Sequence, residues 1–512
     1  MSTRDVVRQL HAAKVFKPVA RYSTLHLRVV ENPFMVAFVR MAGESRPWGI
    51  VFGRLLDKAP KVLTAGDGRN REAVSQICEE FGTALLQYCR AEGHTFNPIT
   101  KDNIEPSELP QIWVPGARHV EMFHHLEYAF WRVRKGDDRT QPLTAFARLT
   151  GWLFREAGRT GQQQIVDASK ALLDAFVFPS DSISLGSLTT SVAWFNEDGT
   201  LAEKRLKVRA AGEQRVSPTI DPLLDKAILG PLVDERADLL KAGKSLEQIE
   251  RKIHDALEPE LMIRWNSMKD AYKILANDTR RENQGVTKLV KASMEKFVWQ
   301  FQRVERQVLD PDLGPAFTPH PETDFHGSAA ASTYFQMAAA DTAFIATLIH
   351  DDKELQNESL AQGRAFLAKI NEVHDEGVGN KKVPIWTFLV ETGELLRLRE
   401  GERYSLLGNQ TSTIYIRSVE VLDDSRLLVE GEWYSPKIKE LNGPIFAKPL
   451  DQDWVGHSVL FVPTDTSGLD AQKGNAVWKA KDGIGAWLTH GKAPASIEGN
   501  IIDDITQLES GV

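Results

Sequence analysis

The sequence has 512 residues, of which 42% are hydrophobic and 26% charged, with a formal net charge of −8 at pH 7. That length exceeds a single core and predicts about three or four domains; the apolar–charged balance excludes a disordered chain. The small negative charge excludes a basic protein that coats DNA along its whole surface, and leaves local patches open.

The first residues, "MSTRDVVRQLHAAK", lack an apolar run, so no secretory signal is expected. No stretch of about 18 apolar residues free of charge predicts a membrane span. The two cysteines, Cys78 and Cys89, fall in one predicted helix. Eleven helical residues separate them by roughly 16 Å, too far for a disulfide. A reducing cytoplasm is the expected compartment.

In chain order, "TLHLRVV", "FMVAFVRM", "WGIVFGRLL" and "KVLTA" read as strands, and the helix bearing both cysteines follows. These form an N-terminal α+β domain over 1–97. The loop "AGDGRNRE" offers Gly66 and Gly68 to an anion, but Arg71 stands where a dinucleotide fingerprint needs glycine. A mixed, mainly helical region is expected over 98–230. It has helices at "RHVEMFHHLEYAFWRVR", 142–157 and 161–178, and a β piece at "LTTSVAWF" and "EKRLKVRAA". From 231 to 378 the pattern is helical. Val286, Val290, Met294, Phe297, Phe301, Val304 and Val308 make one apolar stripe, as expected of a helical bundle. Short β runs over 379–492 ("IWTFLVE", "ELLRLRE", "STIYIRSVEVL", "RLLVEGEWY", "HSVLFVP") predict a small β barrel or sandwich. An acidic tail occupies 493–512. The expected class is α+β multidomain.

Several patterns bear on chemistry. In "HVEMFHHLE", Glu121 lies three residues from His124 and four from His125, spacings at which a helix can present a metal pair. No second copy completes a di-iron set, and His-Glu-x-x-His is absent. "AGKS" at 242–245 ends like a phosphate loop, but Asp238 stands where glycine is required; in "GAWLTHGKA" the spacing is one residue off. His350-Asp351 resembles the metal-holding pair of the HD phosphohydrolases, with His326, His374 and Asp375 as further ligands. The continuation "HDDKELQNES" lacks the small, glycine-containing stretch usual after that motif. The plainer reading is a histidine at a helix C-terminus followed by a capping aspartate.

The remaining signal is electrostatic. Ten basic residues stand against five acids between Arg264 and Arg306. Trp299 has Lys296 and Arg303 beside it at i−3 and i+4, with Lys288, Lys291 and Arg306 in the same basic stretch, a pattern suited to phosphate contacts and stacking. Lys479, Lys481 and Trp487 place a similar pattern in the expected barrel. The expected function is therefore a non-enzymatic subunit or adaptor of an intracellular assembly, contacting protein partners or nucleic acid and no membrane. It needs no cofactor. The alternative is a metal-dependent hydrolase holding a divalent ion at His326, His350, Asp351, His374 and Asp375.

Overall fold

The computed structural model describes residues 3–93, 109–130, 140–179, 187–196, 198–280, 284–309, 327–377, 383–391, 396–407, 409–422, 426–434 and 455–464. They form two compact units, Met1–Pro321 and Glu322–Val512. The protein is α+β and multidomain, with a closed β barrel in its C-terminal part. Among the described residues no helix is long and apolar enough to cross a membrane.

In the first unit, α1 (Thr3–Val15) and β1 (Val19–Ala20) precede β2 (Phe34–Val39), β3 (Gly49–Arg54) and β4 (Lys61–Thr64). Helix α2 (Arg71–Gly93) leads to β5 (Ile112–Val114), and α3 (Ala117–Phe130) with α4 (Thr140–Ala157) to β6 (Ile165–Asp167). Then come α5 (Ala168–Ala175), β7 (Phe176–Val177), α6 (Leu188–Asn196), α7 (Leu201–Glu213) and α8 (Pro222–Leu224). A π-helical turn (Asp225–Leu229) joins α8 to α9 (Gly230–Lys241), followed by α10 (Glu247–Ala276) and α11 (Gln284–Leu309).

The main sheet has the order β4-β3-β2-β5-β6. Strands β2, β3 and β4 form an antiparallel meander, while β5 pairs parallel with β2, and β6 with β5. All six β2 residues are buried, as a strand covered on both faces requires. Alternation assigns the faces. Phe34 and Phe38 of β2 and Phe52 of β3 meet Phe81 of α2, and Phe38 also meets Phe123 of α3. On the opposite face lies α10: a Cβ on Gly49 would stand 2.9 Å from Leu261 Cδ1, so glycine permits that close approach.

This sheet crosses the boundary expected at 97/98, because β5 and β6 are parallel partners reached through helices. The helices expected over 231–378 include α10, which packs on the sheet, and α11, which packs on α4 and α2. Three local expectations are corrected. "TLHLRVV" forms no strand. The helix expected at 161–178 shrinks to α5 between β6 and β7. The expected β piece is helical, as α6 and α7: Thr200 and Glu203 form a capping box, and Lys204 and Val208 are the buried pair, a spacing of four rather than two.

In the second unit, α12 (Gly327–Asp351) and α13 (Lys353–Ala361) precede β8 (Phe366–Glu376), β9 (Val383–Glu391), β10 (Arg403–Leu406), β11 (Asn409–Val421), β12 (Arg426–Tyr434) and β13 (Ser458–Pro463). The six strands close into a barrel, β10-β11-β12-β9-β8-β13, with antiparallel pairing throughout. Strand β8 falls inside the region expected to be helical, although Phe366, Ala368 and Ile370 alternate as buried positions with exposed Leu367 and Lys369. "ELLRLRE" contributes no strand among its described residues. Trp386 and Trp433 stack at 4.8 Å within the barrel core, so these tryptophans fill the interior rather than a binding face.

Candidate functional site

In sheets with parallel strands, ligands usually bind beyond the carboxyl ends of the strands. Here Arg40 follows β2, and Gly116 separates β5 from α3. Residues 216–220 run as a strap beside the end of β2. The Arg40 amide donates to the Pro218 carbonyl at 2.7 Å, and the Ile220 amide to the Arg40 carbonyl at 3.1 Å.

Two buried side chains clamp that strap. His119, on α3, is 1% exposed. Its Nδ1 accepts the Phe38 amide at 3.2 Å, and its Nε2 donates to the Val216 carbonyl at 2.7 Å. An amide can only donate and a carbonyl only accept, so the ring is neutral with its proton on Nε2. Burial lowers its pKa from 6.5 to about 3; the Val216 bond opposes the shift, and the charges of Arg264 and Arg40 add to it. Arg264, on α10, has no exposed surface. Its Nε donates to the Ser217 carbonyl at 2.9 Å, and Nη1 to Glu260 Oε2 at 2.9 Å. Both nitrogens of His119 are thus committed to backbone, leaving neither a lone pair nor a proton for a substrate. Asp167, at the end of β6, is likewise committed: it caps α5 by accepting the Lys170 amide at 3.0 Å.

The other sequence candidates disperse. His124 stacks on Phe154 at 4.7 Å, while His125 Nε2 lies 3.4 Å from Arg40 Nη1. Burial, then the Arg40 charge, lowers the pKa of His125. The Gly66 loop is covered by the Arg236–Glu250 ion pair, whose Nε and Oε1 would both lie 2.6 Å from a Cβ there. Asn70 caps α2, accepting the Glu72 and Ala73 amides. Among the described residues no group of three His, Cys, Asp or Glu side chains is placed to hold a metal.

His350 lies in the last turn of α12, and the neighbouring Asp352 caps α13 by accepting the Glu354 and Leu355 amides at 2.9 and 3.1 Å. Ile349 packs with Ala365, just before β8, whereas His374 stands eight residues along β8 from Phe366. At about 3.3 Å per residue that is roughly 26 Å of strand, so His350 and His374 do not share a site. His374 is instead exposed beside Glu372. His326 and the side chain of Asp375 lie outside the described residues.

On α11 the apolar stripe from Val286 to Val304 is buried. Lys296 is half-buried and ion-paired with Glu156, itself 2% exposed, so it is held within the fold. Burial of Lys296 lowers its pKa, against the pull of Glu156. Lys291 is exposed. The side chains of Lys288, Trp299, Arg303 and Arg306, and all of Lys479, Lys481 and Trp487, lie outside the described residues. Lys296→Ala is expected to lose about 1–2 kcal/mol by leaving the buried Glu156 carboxylate with Arg159 as its remaining cationic partner, and Lys291→Ala less than about 0.5 kcal/mol. Urea unfolding of the two variants separates the roles.

One long-range contact between two basic segments escaped the sequence reading. The segments 1–21 and 201–215 carry ten Lys and Arg residues against three Asp and Glu. They meet where Lys204 Nζ donates to the Phe16 carbonyl at 3.0 Å, across 188 residues of sequence. The basic run in α7 was the available signal, hidden by its reading as a strand. No family model, curated protein or solved structure matches this chain.

Proposed function

We propose that the chain acts by binding, as a non-enzymatic subunit or adaptor of a multi-protein assembly in the cytoplasm. The observation that carries this reading is the clamped end of β2. The position where such sheets usually carry chemistry is filled by a strap held by His119 and Arg264. The mosaic of a sheet unit and a small barrel whose described tryptophans are core residues adds support. Cys78 and Cys89, both buried and unbridged, suit a reducing compartment.

Native mass measurement on the tagged full chain, isolated gently from its own cells, tests the proposal. Recovery with other proteins in fixed ratio is the expected result. A free chain that binds stoichiometric divalent metal and hydrolyses phosphoesters, with both properties lost in His350→Ala, overturns it. Recovery with nucleic acid alone, released by salt, also overturns the protein-assembly reading.

A further inference from the structure

Strand β4 is the outermost strand of the main sheet, and among the described residues β3 is its one strand neighbour. The Ala65 amide donates to the Trp48 carbonyl at 2.8 Å, just past the pairing of Thr64 with Gly49. Hydrogen-bonded and non-bonded pairs alternate along an antiparallel ladder. Leu63 and Lys61 therefore bond to β3, while the amides and carbonyls of Val62 and Thr64 point away from it. Those four backbone groups have no partner among the described residues. Alternation also assigns the side chains. Lys61 and Leu63 face α2, where the Lys61 ammonium reaches Glu80; Val62 and Thr64 face α10, where Thr64 Oγ1 lies 3.1 Å from His254 Nδ1. Both helices thus flank a strand whose outer edge is unpaired.

Sheet edges are usually blunted by a lysine or proline lying over them. Pro60, which has no amide to offer, ends the usable edge on one side, but Lys61 is drawn aside onto α2 by its pair with Glu80. Beside it runs a groove of about 460 Å³, lined by Lys61 of β4 and by Gln76, Glu79, Glu80, Thr83 and Gln87 of α2. Lys61 is the one cation in that lining, and it is spent on Glu80. Glu79 forms no ion pair among the described residues, so the groove keeps an uncompensated negative charge. Donors and acceptors alternating along an edge are matched by another extended chain, whereas the carboxylates repel nucleic-acid and lipid phosphates. A second copy of this chain would pair β4 with β4 about a two-fold axis. That axis sets both α2 helices on one face of the joined sheet, with Glu79 and Glu80 of one copy toward those of the other. Like charge disfavours that pairing.

We infer that the β4 edge takes a basic strand of a partner protein, added to the sheet beside Val62 and Thr64. The backbone of that strand meets the four unpaired groups. Its Lys or Arg side chains, at alternate positions, enter the groove beside Glu79, and β-branched residues between them cover Val62. This inference rests on the reading of the chain as a binding subunit.

The test uses the full chain and a fluorescent peptide of about eight residues in which Lys alternates with Val and Thr. Anisotropy is expected to show saturable binding, weakened at least about tenfold when the peptide's backbone amides are N-methylated. Val62→Pro removes one outward amide without touching the ladder to β3, and Glu79→Lys reverses the charge of the groove. Each is expected to weaken binding about tenfold or more. An unchanged unfolding midpoint verifies each variant, and Glu79→Lys carries the test if Val62→Pro fails to fold. No binding, binding indifferent to N-methylation, or binding indifferent to both substitutions overturns the inference. So does equal binding of a peptide with Glu in place of Lys. Self-association of the wild-type chain that Val62→Pro abolishes also overturns it, by making a second copy the occupant. Failure of the peptide while assemblies are still recovered from cells removes the edge and leaves the subunit reading; a wild-type chain found alone removes both.

Discussion

Arg264→Ala is expected to destabilise the first unit by about 3–5 kcal/mol, the range seen when one member of a buried ion pair is removed. The guanidinium is wholly buried; its loss strands the Ser217 carbonyl, leaves Glu260 without its partner and opens a cavity under the strap. Glu260 keeps 22% side-chain exposure, so water recovers part of the loss and places the expected value toward the lower end. Arg264→Met retains most of the volume and is expected to cost less than Arg264→Ala. Guanidinium unfolding measures both, with the two units followed as separate transitions because two compact units do not guarantee one. A loss below about 1 kcal/mol for Arg264→Ala means the strap is held by other contacts.

The second large effect is a dependence on acid. Burial, reinforced by the Arg264 and Arg40 charges, keeps His119 neutral in the fold to about pH 3, whereas the unfolded chain takes up a proton below its ordinary 6.5. Between those values the unfolded state binds more protons, so stability falls as pH falls. The slope reaches about 1.4 kcal/mol per pH unit. This contribution is complete above 6.5 and is lost progressively toward about 3. His119→Gln removes the titrating group. The variant is expected to be less stable near neutral pH by about 1–3 kcal/mol and to lose less on acidification from about pH 6 to about pH 4. Parallel slopes for variant and wild type over that range rule out His119 as the acid-sensitive group.

How legible these features are in the sequence depends on the distance to a partner. The β2–β3–β4 meander announces itself through local apolar runs and turns, as do the β9, β11, β12 and β13 strands of the barrel. The α11 stripe is legible for the same reason, since one helix face needs no knowledge of the rest. The three-residue strands β5 and β6 carry no such signal; their place follows from parallel pairing with neighbours far along the chain. His119 lies in the histidine-rich helix that the sequence singles out, yet Glu121, His124 and His125 there drew attention for their metal-like spacing. What makes His119 distinctive is two backbone groups, 81 and 97 residues away, that no side-chain pattern encodes. Lys296 reads as a phosphate contact until Glu156, 140 residues earlier, is found beside it. Long-range ion pairs of this kind convert apparent surface charge into structure.

The clamped end of β2 is tested most directly by nitrogen-15 NMR of the histidine-labelled full chain, titrated from about pH 8 to about pH 5. The His119 ring is expected to keep the neutral Nε2–H form throughout, with no exchange of its proton on the titration timescale. A His119 ring that instead takes up a proton near 6.5 would mean that water and ligands reach the end of β2, and the binding-only reading would fail there.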